Sequence, residues 1–360
     1  MTRPRVLMAG PGRDVRGGVS AVVNGYYALG IEDRMELTYL TTMEDGSKWH
    51  KAAVFAGAYL RFPALMHKAD ILHVHLSPRA SFARKALLVE RAFRMGKRII
   101  IHQHGGDFGN FYYRESDAKK QARIRSIFGM ADRVIVLSEE WRDFFADGIC
   151  DPQKMIVLHN GVVLSGQAAA DYGSHRILTL GKLWEAKGVY ELLAAIPTVV
   201  GRFPDAYFYL CGDGDLEKCR QIVRDDGMEE HVRFPGWIDE EERGKLFSSC
   251  SIFLLPSHFE GMPMSLLEAM GHGLACIATS VGGIPQIITD GESGLLIPPR
   301  DENAISGSLI RLLGDESLRR RLGTEGACVI RADFDAAAGL NRLLDIYREL
   351  TDSPGGTGAG

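Results

Sequence analysis

Short apolar runs alternate with longer amphipathic stretches along the whole chain. In the first half, the runs at 5–9, 36–41, 71–75, 99–102, 134–137 and 155–158 read as strands. Between them, spacing of three and four predicts helices near 19–28, 52–67, 80–95, 116–129 and 139–146. The second half repeats the scheme, with strands at 177–180, 206–210, 232–234, 252–255, 275–278 and 295–297. Helices are predicted near 188–202, 215–225, 239–249, 264–271 and 302–313. Strands that are apolar throughout and alternate with helices indicate parallel sheets built from βαβ units, an α/β fold. The small, polar stretch 165–173 interrupts the scheme before a fresh strand begins. We therefore expect two Rossmann-like domains, 1–165 and 174–335, facing a central cleft where substrates bind. An amphipathic helix at 336–352 follows, and the Gly-rich tail 353–360 has nothing to bury and should be disordered.

Composition narrows the class. At 360 residues, 46% hydrophobic and 24% charged, the chain has the make-up of a soluble protein too long for one ordinary core. No apolar run approaches the roughly 20 residues needed to cross a bilayer, and the N-terminus does not resemble a secretory signal. The six cysteines form no C-x-x-C pair, which suits reduced core thiols in a cytoplasmic protein. Net charge is divided: residues 1–165 hold 24 Lys plus Arg against 17 Asp plus Glu, whereas the remainder holds 18 against 29. A basic N-terminal half suits an anionic acceptor or membrane surface.

The densest chemistry lies at 260–270. An apolar strand at 252–255 leads into Glu260-Gly261-Met262-Pro263-Met264, and Pro263 marks a helix start. Glu260 then sits in the loop at a strand's carboxyl end, where open parallel sheets bind ligands, and Glu268 lies in the helix. A carboxylate there accepts hydrogen bonds from hydroxyls, and amides at a helix start meet anions. A sugar joined to a diphosphate satisfies both. The run resembles the E-x7-E motif of retaining glycosyltransferases of family 4, and the likeness extends through Gly271-His272-Gly273, Gly282-Gly283-Ile284-Pro285 and Asp290-Gly291-Glu292-Ser293-Gly294. The resemblance implies the GT-B fold, with the C-terminal helix crossing back onto the first domain. It also implies that Glu268 binds ribose hydroxyls, and that Glu260 with the amides of Gly261 to Met264 holds the donor sugar.

Two loops suit a diphosphate. Gly181-Lys182-Leu183-Trp184-Glu185-Ala186-Lys187-Gly188 follows the strand at 177–180. Cations there stabilise charge that grows on a departing nucleotide. The loop resembles the family's G-R-L-x-x-x-K-G, with Lys182 in place of arginine, which keeps charge and loses the guanidinium fork. Near the N-terminus, Gly17-Gly18 before a helix resembles the family's glycine-rich loop facing the donor. A dinucleotide fingerprint is the rival, but Val15 occupies the third glycine's place and no acid ends the second strand.

Two strands end in H-x-H, His73-Val74-His75 and His102-Gln103-His104. Alternate strand residues share a face, yet no further ligand completes a zinc set, so no metal is expected. The resemblance gives His104 the contact with the donor sugar near its anomeric carbon, while His73, His75 and His102 read as supporting residues. Asp213-Gly214-Asp215 spells a D-x-D metal motif, but a turn and helix N-cap explain it. Trp237 either packs on the nucleotide base or caps the core.

The stretch 79–98 carries Arg79, Arg84, Lys85, Arg91, Arg94, Lys97 and Arg98 among apolar residues, with Glu90 its sole acid. Such a helix can lie on an anionic leaflet. The sequence reading is a cytoplasmic retaining glycosyltransferase, peripheral on the inner face of the plasma membrane. It would move sugar from a UDP- or GDP-sugar to a lipid-linked saccharide of bacterial polysaccharide assembly, with no cofactor and no nucleic-acid partner. His104, Glu260, Lys187 and Lys182 carry the chemistry. A nucleotide-sugar epimerase, an NAD(P)-dependent oxidoreductase and a non-catalytic sugar-nucleotide sensor are the alternatives.

Overall fold

The computed structural model describes residues 3–163 and 170–352. The polar residues 165–169 of the expected boundary, and the tail 353–360, lie outside the described residues. The chain forms two compact units: one runs to Val163 and resumes at Ala336, and the other ends at Asp335.

The first unit holds a six-stranded sheet of β1 (Arg5–Gly10), β2 (Glu36–Thr41), β3 (Ile71–Leu76), β4 (Arg98–Gln103), β5 (Arg133–Val136) and β6 (Met155–Val157). All pairings are parallel, in the order β2-β1-β3-β4-β5-β6. Every residue of β3 is buried, as expected for a strand covered on both faces. The order reverses between β1 and β3, which opens a crevice at their carboxyl ends. The C-terminal helix Ala336–Asp352 belongs to this unit, burying Leu340, Leu343, Leu344, Tyr347 and Leu350. Polar contacts fix it: Tyr347 Oη lies 2.5 Å from His73 Nδ1, and Arg34 donates to Asn341 Oδ1 at 2.7 Å.

The second unit repeats the design with β7 (Arg176–Leu180), β8 (Tyr207–Cys211), β9 (Val232–Gly236), β10 (Ile252–Leu255), β11 (Ala275–Thr279) and β12 (Leu295–Ile297). The parallel order β12-β11-β10-β7-β8-β9 puts the switch point between β7 and β10. Ala170 and Tyr172, inside the small, polar stretch expected as the domain boundary, are buried. The Tyr172 hydroxyl donates to the Gly273 carbonyl at 2.7 Å, and its own carbonyl accepts from the buried Arg319. Arg319 also donates to the carbonyls of Leu312 and Leu313, so backbone oxygens take the place of a counterion.

Three helices were not expected from the pattern: Ile31–Arg34, Phe108–Tyr113 and Glu316–Asp333. The last buries Arg319, Gly323 and Gly326 along with Leu318, Leu322, Ala327 and Ile330, so its inner stripe is not cleanly apolar. The basic stretch 79–98 is not one helix either. The helix Ala80–Arg94 ends before Lys97, and Arg98 opens β4. Five cysteines are buried, and Cys328 is exposed; none is bonded to another. Among the described residues, no helix is long and apolar enough to cross a membrane.

Candidate active site

The site in the second unit is built from the loops that follow β7, β10 and β11. After β7 the chain makes a short 3-10 turn, Glu185–Lys187, then passes through Gly188 into the helix Val189–Arg202. Gly188 has φ 67°, and a Cβ there would stand 1.9 Å from the Pro256 carbonyl oxygen. Only glycine allows this approach. The His258 amide donates to the Ala186 carbonyl at 3.0 Å, tying the loop after β7 to the loop after β10. The buried His258 ring meets Glu191 at 2.9 Å. Gly282, at φ 55°, lies against Glu260 in the same way, and the Gly283 amide donates to Gly261 at 2.8 Å.

This stitching brings Lys187 Nζ to 2.6 Å from Glu260 Oε1. Glu260 is only 8% exposed, so its carboxylate depends on that ammonium. Glu268 stands in the helix Met264–Gly271, 3.4 Å from Arg243. Burial pushes its carboxyl above the usual range, and Arg243 works against the rise. Gly261, Met262 and Pro263 are buried, and Met264 is half-buried at the helix start, whose first amides lack intrahelical partners.

Lys182 is exposed, with its Nζ 4.9 Å above the Trp184 ring, and takes no part in the Lys187–Glu260 pair. Trp237 follows β9 and is 44% exposed. Asp215 occupies the N-cap position of the helix Leu216–Asp225 but makes no capping bond, because its carboxylate accepts the Tyr190 hydroxyl at 2.6 Å instead. Arg243 and His258 escaped the sequence reading. The signal for His258 is its place two residues before Glu260, in the same loop after β10.

In the first unit, Gly17 caps the helix Gly18–Ala28 after β1. His104 follows β4, partly exposed, with Nε2 2.8 Å from His75 Nδ1. Its ring packs, tilted by 31°, against His102 with centroids 4.1 Å apart. Burial, helped by Lys85, lowers its pKa to about 3, so the imidazole is neutral at pH 7. His73, His75 and His102 are fully enclosed, with ligand-capable atoms within 4.8 Å of one another. That spacing could hold a metal ion, but the positive charge of Lys85 acts on His75 and opposes a cation. Lys85 does not face a membrane leaflet: it is 2% exposed, against an expectation of a solvated basic face.

Neutral buried imidazoles make stability depend on pH. Burial lowers the pKa of His73 to about 3 and holds those of His75 and His102 well below 6.5. Their contribution is therefore complete above pH 6.5 and is lost as pH falls below it. Each histidine should cost about 1.4 kcal/mol per pH unit across that window. Urea midpoints at pH 7 and pH 5 test this, and equal midpoints would show that the folded rings already bind protons.

Two doubly wound parallel sheets, one bearing a lysine–carboxylate pair at its switch point, make up the GT-B architecture. The fold matches sucrose-phosphate synthase from Thermosynechococcus elongatus with a TM-score of 0.81 at 19% identity, over 98% of this chain and all of that one. Anabaena HepE, solved with UDP-glucose, matches with a TM-score of 0.76 at 14% identity, over 96% of this chain and 99% of that one. The family model for glycosyl transferases group 1 matches residues 174–315, and that for Glycosyltransferase Family 4 matches residues 46–165. Together they span more than half the chain, which belongs to the family 4, group 1 glycosyltransferases. The amylovoran biosynthesis glycosyltransferase AmsK of Erwinia amylovora is 26% identical over 78% of this chain and 70% of its own length.

Proposed function

We propose that this glycosyltransferase moves a sugar, with retained anomeric configuration, from a UDP- or GDP-sugar to a lipid-linked saccharide in polysaccharide assembly. Lys187 holds the diphosphate, aided by Lys182, and offsets charge as the nucleotide leaves. Glu268 takes the ribose hydroxyls, positioned by Arg243. Glu260 and the amides from Gly261 to Met264 hold the donor sugar, and Trp237 packs near the base. His104 offers neutral hydrogen bonding to a substrate of the first unit, beside the loop of Gly17 and Gly18. The leaving phosphate accepts the acceptor's proton, so the reading needs neither a protein nucleophile nor a metal ion. The observation that carries it is the Lys187–Glu260 pair at 2.6 Å, set at the switch point of the second sheet. HepE's complex with UDP-glucose and the polysaccharide role in AmsK's name support the donor and the pathway class.

The reading places the enzyme on the inner face of the plasma membrane. Exposed Trp49 and Leu60 share a helix with Lys48, Lys51 and Arg61, and exposed Phe93 lies beside Arg94. Flotation with anionic vesicles reads this directly.

A thermal-shift screen of UDP- and GDP-sugars tests the donor. At a ligand concentration of 100 Kd the folded state should gain about 2.7 kcal/mol. No shift from any nucleotide sugar would end the reading. Donor consumed without an acceptor, yielding an isomer, would favour an epimerase.

A further inference from the structure

We propose that Lys85 and Arg84, on the helix Ala80–Arg94, form a subsite for a phosphate or diphosphate group carried by the acceptor. The proposal rests on the transferase reading above and names the group by which the first unit recognises its substrate.

Lys85 is 2% exposed, and its one hydrogen bond is to Ser81 Oγ at 3.2 Å. An ammonium carries three N–H donors, so two are unspent. Arg84 lies beside it with a buried Nε that has no hydrogen-bond partner. Among the described residues, no carboxylate pairs with either cation. Arg319, another deeply buried cation, by contrast makes four hydrogen bonds to carbonyl oxygens. A buried charge without a counter-charge is unfavourable, and burial together with Arg84 lowers the Lys85 pKa to about 7. An arriving anion would supply the missing counter-charge.

The position suits a ligand. Side chains on a helix lean toward its N-terminus, and the Lys85 ammonium accordingly reaches Ser81, one turn back. Ser81 Oγ in turn accepts the Ser77 amide at 3.2 Å, and both serines are half-buried, so the ammonium lies just below a partly open rim. That rim follows β3, at the point where the first sheet reverses its strand order, where open α/β sheets take ligands. The neighbouring rings of His75 and His104 are neutral, and the His75 Nε2 is buried without a partner. The acids at the rim, Asp107 and Glu115, are both paired with Arg79, so the buried ammonium beside neutral imidazoles favours an anion over the metal its histidines could otherwise reach. Phosphate oxygens accept from both lysine and arginine.

The test is calorimetric titration of the full chain, saturated with UDP, using inorganic diphosphate and farnesyl diphosphate in turn. A binding event should remain with UDP present. Lys85→Met and Arg84→Gln should each weaken it at least tenfold while leaving UDP binding within twofold. Tighter binding of farnesyl diphosphate would mark a lipid-borne phosphate; equal affinities would mark a free phosphorylated head group. Should Lys85→Met fail to fold, the half-buried Arg84→Gln decides. Diphosphate binding absent under UDP, or unchanged in the variants, overturns the subsite. Loss of UDP binding in the wild type, with diphosphate binding still dependent on Lys85, would instead overturn the donor reading alone.

Discussion

Lys187→Ala should erase most of the stabilisation that a nucleotide sugar gives the protein and slow transfer by about one to two powers of ten. The rate estimate follows from one charge-assisted hydrogen bond to a diphosphate, worth roughly 1.5–3 kcal/mol. The structure adds a second consequence. Lys187 is the cation 2.6 Å from Glu260, a carboxylate that is 8% exposed. Removing the lysine leaves that charge buried without its partner, so the ligand-free protein should also melt earlier. The two effects separate in the double variant Lys187→Met with Glu260→Gln, which removes both charges at once. Its melting temperature should recover toward wild type while its response to nucleotide sugars stays absent. A double variant that regains the ligand shift would remove Lys187 from the site.

The sheets were legible because parallel strands covered on both faces are largely apolar, as the run at β10 is throughout and that at β11 is up to Thr279, while β3 departs from the rule only at His73 and His75. The helix Glu316–Asp333 was not, because its buried stripe carries Arg319 and two glycines. Motif residues could be named, but their pairing could not. Lys187 and Glu260 are 73 residues apart, and only the order of β7 beside β10 joins them. Arg243 gave no signal, since nothing in its surface helix marks a partner for Glu268. Lys85 did give one. Phe82, Lys85, Ala86 and Val89 fall on one helical stripe, so a solvated lysine at that position conflicts with its apolar neighbours. Reading the segment by charge count alone assigned Lys85 to a membrane face, and burial corrects it.

Gly188→Ala should be more disruptive than its size suggests. At φ 67° the residue occupies the left-handed region, which alone costs an alanine about 1 kcal/mol. The added Cβ would also stand 1.9 Å from the Pro256 carbonyl oxygen, a backbone atom that cannot rotate away. The loops after β7 and β10 must then part, and they carry Lys187 and Glu260. Stability should fall by roughly 2–4 kcal/mol. Activity should fall about a hundredfold, because a displacement near 1 Å at a positioned charge has that scale of effect. Gly201→Ala is the control: it lies in the helix Val189–Arg202 with nothing within 4 Å of its Cβ, and it should raise stability by about 0.5–1 kcal/mol. If Gly188→Ala melts and turns over like the wild type while Gly201→Ala behaves as stated, the close seam between the two loops does not hold the site.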